Sequence, residues 1–472
     1  MKFLHYNILI GLLLIFTSCK SEEVTVGYTV SFDTRGGTPA VETVKVNPGA
    51  VITEPAVTLS KGDSVFAGWF DSVTNNKFNF KSTINSDIKL YAKWWLEPQQ
   101  YIVLSSSDSR YNYEQLKQYF GSQVGKKVAI AQAPLFRVFQ RDMAIFETSM
   151  REHLRQSSLY EIPVFIFLSV TPFNEARPDL WNWWDATKPG YNPENINNVE
   201  WYDWTSDAAV KIGWLNWGKQ MRLPPMLNQM SPVVQAAEKE AVTRLMTIVK
   251  TWYDGLPTNK KYLFAGIRST DEMAVGINNW YYPNGNSYVN KAESGDPTTG
   301  INPLVLPSRG VQTIGFNAVK TAGIKTSGTI TIEDLNEMCR RHGEFMSKIY
   351  FDMGFPRHKI FCSSFAKTLG EAKTCINDYS CPSWSFYHAE AVTPTAFESA
   401  MEAIKASNAP AWGMAEWGIP WENLDIAKCK TALQTGLALP KNKLIRLTGS
   451  NVVSDAGVVN LALIDAILQV NK

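Results

Sequence analysis

Hydrophobic and polar positions follow three different rhythms along this chain. Lys2 is followed by an unbroken apolar run from Ile8 to Phe16, which closes on Thr17-Ser18-Cys19. Such a run is about half of the ~20 residues a membrane-crossing helix needs. A basic start, a short apolar middle and small residues at the end predict a secretory signal over residues 1–18. From residue 28 to 95 the rhythm is period two, as in Tyr28-Thr29-Val30-Ser31-Phe32 and Ile88-Lys89-Leu90-Tyr91-Ala92. Glycine and proline punctuate it at Gly36-Gly37 and Pro55. That alternation predicts short strands with one buried face, a small all-β module.

From residue 100 to 472 the rhythm changes again, to short apolar runs separated by helical stretches. Strands are predicted at 128–133, 164–169, 213–217, 262–268, 359–363, 383–387, 411–416 and 444–447, with 101–105 as a ninth candidate. Helices are predicted at 235–253, 332–353, 394–406 and 424–436. In the first of these Ala236, Ala237, Val242, Leu245, Met246, Val249 and Trp252 share one side. Eight strands alternating with helices predict an α/β fold, a (β/α)8 TIM barrel. A doubly wound open sheet is the alternative. No GxGxxG or GxxxxGK[ST] follows any strand, which disfavours dinucleotide and P-loop chemistry. The expected organisation is therefore a signal at 1–18, a linker at 19–27, a β module at 28–95 and a barrel at 100–472.

Composition narrows the function classes. Lys+Arg 46 against Asp+Glu 44 leaves a net charge of +2, without the basic excess of a nucleic-acid binder. Cleavage before Cys19 leaves five further cysteines, at 339, 362, 375, 381 and 429. So few exclude a dense disulfide framework, although Cys375 and Cys381 could close a loop. No CxxC or HxxxH spacing occurs, so no metal and no cofactor is expected. Tryptophan is the unusual residue: sixteen in all. Trp181, Trp183, Trp184, Trp201, Trp204, Trp214 and Trp217 crowd a long loop rich in Asn, Asp and Pro. Aromatic planes beside polar groups suit sugar rings, which offer C–H faces for stacking and hydroxyls for hydrogen bonding. Part of the cluster is expected to pack the loop onto the barrel instead. A second polar insertion, residues 278–310 with Trp280-Tyr281-Tyr282, could form the opposite wall.

Several of these motifs resemble known families. Thr17-Ser18-Cys19 resembles a lipobox, which implies a lipidated Cys19 and a membrane tether. Lys20-Ser21-Glu22-Glu23 resembles the export signal of surface lipoproteins, which implies an outer-membrane, cell-surface location and the company of other surface glycan-uptake proteins. Phe32-Asp33, Gly36-Gly37, Pro55, Phe66-Ala67-Gly68-Trp69 and Tyr91-Ala92-Lys93-Trp94 resemble the internalin-type B repeat, a β-grasp-like spacer or adhesive module. In it Trp69 and Trp94 are expected in the core.

In the large domain, Glu272 follows the strand pattern Leu263-Phe264-Ala265-Gly266-Ile267-Arg268, and Glu416 ends Ala411-Trp412-Gly413-Met414-Ala415. By strand order these stand after strands four and seven, which resembles clan A of the glycoside hydrolases. That resemblance implies Glu272 as general acid/base, Glu416 as nucleophile and a carbohydrate substrate. Asp271 stands where many members carry Asn, with Glu293 a further nearby acid. Tyr387 or His388, after strand six, is placed to hydrogen-bond the nucleophile. Arg222 could pair with a catalytic carboxylate, Glu175 is a competing acid, and Trp417 would form a floor for the sugar. Trp214 and Trp217 complete the expected substrate-binding set. Two other classes fit the same sequence. One is a non-catalytic surface glycan-binding lipoprotein, and the other an adhesin that uses the barrel as a display platform.

Overall fold

The computed structural model describes residues 27–470 except 58, 63, 97, 99, 125, 217–219, 272–274, 277, 293–309, 419–425 and 449–460. The expected signal peptide, Cys19 and the residues after it, Glu272, Glu293 and Trp217 therefore lie outside the described residues. The chain divides into two compact units, Met1–Trp94 and Trp95–Lys472.

The first unit is a four-stranded sheet made of β1 (Tyr28–Asp33), β2 (Val44–Val46), β3 (Ser64–Asp71) and β4 (Ile88–Leu96). The strand order is β2-β1-β4-β3, with β1 and β4 parallel. Alternation puts Val30, Leu90 and Ala92 on the inner face, with Ile52, Leu59, Ile84 and Trp69. Phe32 meets Trp69 edge-on at 4.9 Å. The Trp94 indole donates to the Thr34 carbonyl at 2.9 Å. Its ring lies 2.3 Å from where a Cβ of Gly37 would stand, so the turn needs glycine there.

The second unit is a closed eight-stranded barrel. Its parallel strands, in chain order, are β5 (Gln100–Ser107), β6 (Val128–Arg137), β7 (Val164–Ser169), β10 (Phe264–Arg268), β13 (Ile360–Ser364), β14 (Cys381–Tyr387), β15 (Trp412–Gly418) and β16 (Asn442–Leu447). One set of alternating side chains fills the barrel: Tyr101, Val103, Ala129, Ala131, Phe165, Ala265, Phe361 and Leu444. The other set faces the surrounding helices and includes Ile102, Leu104, Ile130, Val164, Ile166 and Leu168. Both faces are buried, which is why these strands read as near-continuous apolar runs.

Two expectations change. Residues 101–105 are not an extra element: they belong to β5, the first barrel strand. Residues 213–216 are not a barrel strand. They form β8 (Gly213–Asn216) of a separate antiparallel sheet with β9 (Gln220–Leu223), β11 (Asn279–Tyr281) and β12 (Gln312–Thr313). That sheet is built from the insertions after β7 and β10. Its own core joins Val210, Ile212, Trp214, Trp280 and Tyr281 to Leu335 and Met338 of the helix Ile332–Asp352. The two errors cancel in the count, so Glu272 still follows barrel strand four and Glu416 still lies on barrel strand seven.

Candidate active site

At the C-terminal ends of the barrel strands the inward-facing side chains turn polar, with Arg268, Glu416 and Arg446 charged, where those below them are apolar. Two irregularities aim them. At Gly266 the β7–β10 register shifts, and φ is +147°. A Cβ there would meet the Lys359 carbonyl oxygen at 2.8 Å. The shift sends Ile267 out to the helices and Arg268 into the barrel. On β15 the register shifts between Met414 and Trp417, so Glu416 points into the mouth and Trp417 points out.

Glu416 is surrounded by donors. Arg268 Nη1 donates to its Oε1 at 2.7 Å and Arg446 Nη1 to the same oxygen at 3.3 Å. The Tyr387 hydroxyl donates to Oε2. The Arg268 and Arg446 side chains are only 1% and 4% exposed, against 16% for Glu416. Both guanidinium groups lie over the Phe167 ring, at 4.3 and 5.0 Å. Burial works against ionisation of Glu416. The charges of Arg268 and Arg446, with the hydrogen bonds from Arg268 and Tyr387, outweigh it and hold the carboxyl below its ordinary value.

Asp271 has the opposite balance. Burial pushes its carboxyl up to about 6, with the Glu416 charge adding to the rise and the Arg268 charge, the hydrogen bond donated by Ser169 and the Arg137 charge opposing it. The Ser169 hydroxyl, at the end of β7, is hydrogen-bonded to its Oδ2. Arg137 ends β6 and stacks on Phe173 at 4.0 Å. Burial lowers its pKa against the charges of Asp271, Glu175 and Asp108. Glu175 is itself exposed, with its pKa raised by desolvation.

Four of the expected site residues stand elsewhere. Trp417 is fully buried among the outer helices, and its indole donates to the Ala391 carbonyl at 3.1 Å, so it cannot floor a sugar site. Trp214 is 1% exposed, inside the accessory core. Arg222 spends its guanidinium on the carbonyls of Lys291, Tyr288 and Val289 rather than on a carboxylate. His388 is exposed with φ +52°, and its backbone N–H bonds the Gly418 carbonyl, while Tyr387 holds Glu416. Cys375 and Cys381 are free, buried thiols.

The tryptophan cluster is mostly scaffolding. The indoles of Trp181, Trp183, Trp201 and Trp204 donate to the backbone carbonyls of Asn174, Val210, Ile196 and Gly328. Trp184, half-buried, stacks on Trp181 with ring centroids 5.6 Å apart. Sequence reasoning missed Arg268, Arg446 and Ser169. The available signal was an arginine inside an otherwise apolar barrel strand, in Phe264-Ala265-Gly266-Ile267-Arg268 and Leu444-Ile445-Arg446-Leu447. Among the described residues no group of His, Cys, Asp and Glu could hold a metal ion.

A family model, the Listeria-Bacteroides repeat domain, matches residues 28–93. No curated protein matches the chain. Among solved structures, the barrel unit is distantly similar in fold to glycoside hydrolases. One is a broad-specificity endoglucanase from an uncultured bacterium, at 10% identity and TM-score 0.38, covering 76% of this chain and 83% of that one. Another is a glycoside hydrolase family 5 enzyme from Prevotella bryantii, at 9% identity and TM-score 0.37, covering 76% and 85%. A third is a family 5 xyloglucanase from Paenibacillus pabuli, at 8% identity and TM-score 0.40, covering 80% and 99%.

Proposed function

We propose that this chain is a surface-tethered glycoside hydrolase that cleaves a polysaccharide or host glycan with retention of configuration. Glu416 is the nucleophile, and the proton donor comes from the segment just after β10. The observation that carries the reading is the opposed electrostatics of two acids at one barrel mouth. Glu416 is held below its ordinary pKa by two arginines and a tyrosine, and Asp271 is held above its own by burial. Cleaving an acetal needs a proton on the leaving oxygen and negative charge beneath an oxocarbenium-like carbon. Acids whose surroundings push their pKa values apart supply both near neutral pH. Glu272, the neighbour of Asp271, is the donor that the clan resemblance assigns. The tether rests on the lipobox-like Thr17-Ser18-Cys19 and places the enzyme on the outer membrane, with the repeat as its spacer.

One observation favours a second reading, a non-catalytic glycan-binding lipoprotein. Both oxygens of Glu416 are engaged, Oε1 by the arginines and Oε2 by Tyr387. Three donors on one carboxylate draw off charge and make it a weaker nucleophile. The separating experiment compares the parent with Glu416→Gln on a panel of polysaccharides, measuring new reducing ends and, in parallel, retention in affinity electrophoresis. The hydrolase reading expects release by the parent, a loss of about 10³-fold or more in the variant, and retention unchanged. Retention by the parent with no release establishes the binding reading. Neither release nor retention overturns both.

A further inference from the structure

One ring in the tryptophan-rich layer does not share the work of the others. Trp181, Trp183, Trp201 and Trp204 each pack with a hydrophobic cluster and end their N–H on a backbone carbonyl. Trp184 packs with none of the hydrophobic clusters among the described residues. Its ring contacts are with Trp181, stacked at 5.6 Å and 27°, and with Trp183, edge-on at 5.8 Å. Its indole N–H meets no acceptor among the described residues and is not sealed from solvent. A ring that joins no core and ties no carbonyl is not accounted for by folding.

The loop that carries this ring is held by other residues. Asn182, 1% exposed, donates through Nδ2 to the carbonyls of Asp185 and Pro189, both at 3.0 Å. Its Oδ1 accepts from the Asp185 N–H at 3.1 Å. The Asn192 N–H donates to the Asn182 carbonyl at 3.0 Å, which closes the loop over residues 182–192. Asn195, also buried, bonds the carbonyls of Asn182 and Gly190. Gly190, at φ +73°, passes so close to the helix Pro178–Trp181 that a Cβ would stand 2.3 Å from the Asp179 nitrogen. This framework is made of asparagines and backbone, and the Trp184 side chain has no part in it. Beside Gly190 stands Tyr191, 42% exposed, whose hydroxyl meets no partner among the described residues.

We propose that the loop 182–192 is a glycan-binding subsite separate from the charged cluster, with Trp184 and Tyr191 as stacking platforms for pyranose rings of a polysaccharide. A sugar matches both halves of the indole: its C–H face lies on the ring, and a hydroxyl oxygen accepts from the N–H. Because the loop is already ordered, little freedom is lost when a ligand settles on it. Two rings are too little for a protein partner, which takes about 800 Å² from each side. The other residues from 186 to 192 are Ala, Thr, Lys, Pro, Gly and Asn. The Trp181 N–H is tied to the Asn174 carbonyl, next to the Phe173 ring on which Arg137 stacks, so the loop is fastened on the mouth side of the barrel. Binding here uses neither Glu416 nor Asp271, and it serves a hydrolase and a non-catalytic binder alike.

The test is affinity electrophoresis of the full chain through gels of hydroxyethyl cellulose, galactomannan, starch or mucin, with thermal unfolding alongside. On the polysaccharide that retards the parent most, Trp184→Ala should weaken retention about tenfold while unfolding close to the parent. Tyr191→Ala should weaken it about threefold. Unchanged retention in Trp184→Ala overturns the inference, as does a parent retarded by none of the four. If Trp184→Ala unfolds far below the parent, the exposed Tyr191 decides: weaker retention in Tyr191→Ala supports the subsite, and unchanged retention overturns it. Reducing ends released by the parent, with retention unchanged in Trp184→Ala, would remove the subsite and leave the hydrolase. Retention lost in Trp184→Ala, with no release by the parent from any glycan, would keep the subsite and remove the hydrolase.

Discussion

The barrel mouth and the tryptophan-rich layer beside it use polar contacts in opposite ways. In the layer, four indole N–H groups end on backbone carbonyls, and Trp214 is sealed in a core of its own. Three of those bonds are partly buried and tie loop carbonyls inside the layer, and the fourth, from Trp204 to exposed Gly328, closes its surface. At the mouth, side chains bind side chains: two arginines and a tyrosine on one carboxylate, a serine on the next. Tryptophan abundance is therefore mainly a signal of how two long insertions are folded. The chemistry lies with a few charged residues that composition does not single out.

The contrast can be broken in the layer itself. Trp214→Ala should lower stability by about 3–5 kcal/mol, since a large buried ring leaves a cavity. Thermal unfolding measures this, and any turnover measured well below the lowered midpoint should survive. If the variant unfolds like the parent but loses glycan retention, the ring is a ligand platform and the contrast fails.

A smaller effect sharpens it through pH. Glu200, fully buried beneath the layer, has its carboxyl pushed up to about 8 by burial, against backbone N–H donors led by Ala318. Between its ordinary 4.5 and about 8, the folded chain holds a proton that the unfolded chain has lost. Stability from this group must then fall as pH rises through that window. Glu200→Gln keeps the shape and removes the titration, so its melting temperature should decline less than the parent's between pH 5 and 9. Parallel curves would show that Glu200 ionises freely in the fold.

Much of the architecture was legible because period two and helical period are imposed by burial itself. The module's Trp69 and the barrel's apolar runs could be read on that basis. The strand at 213–216 was misassigned because apolar residues in an antiparallel insertion have the same pattern as those in a barrel strand. Periodicity reports burial, not which sheet does the burying. Trp417 was misread for a related reason. Strict alternation puts it on the side of Gly413 and Ala415, and only the register shift before it turns Glu416 inward instead. Ser169 was silent in the sequence because its role depends on what it meets across the barrel, Asp271 102 residues on.

The central claim is that Glu416 is the ionised acid which meets the sugar. Incubating the protein with a panel of 2-deoxy-2-fluoro glycosyl fluorides and weighing it intact tests this most directly. The account predicts a gain of one fluorosugar, mapped to Glu416 and absent from Glu416→Gln. An adduct on another carboxyl, or an unchanged mass across the panel from a protein that still retains polysaccharide, would contradict it.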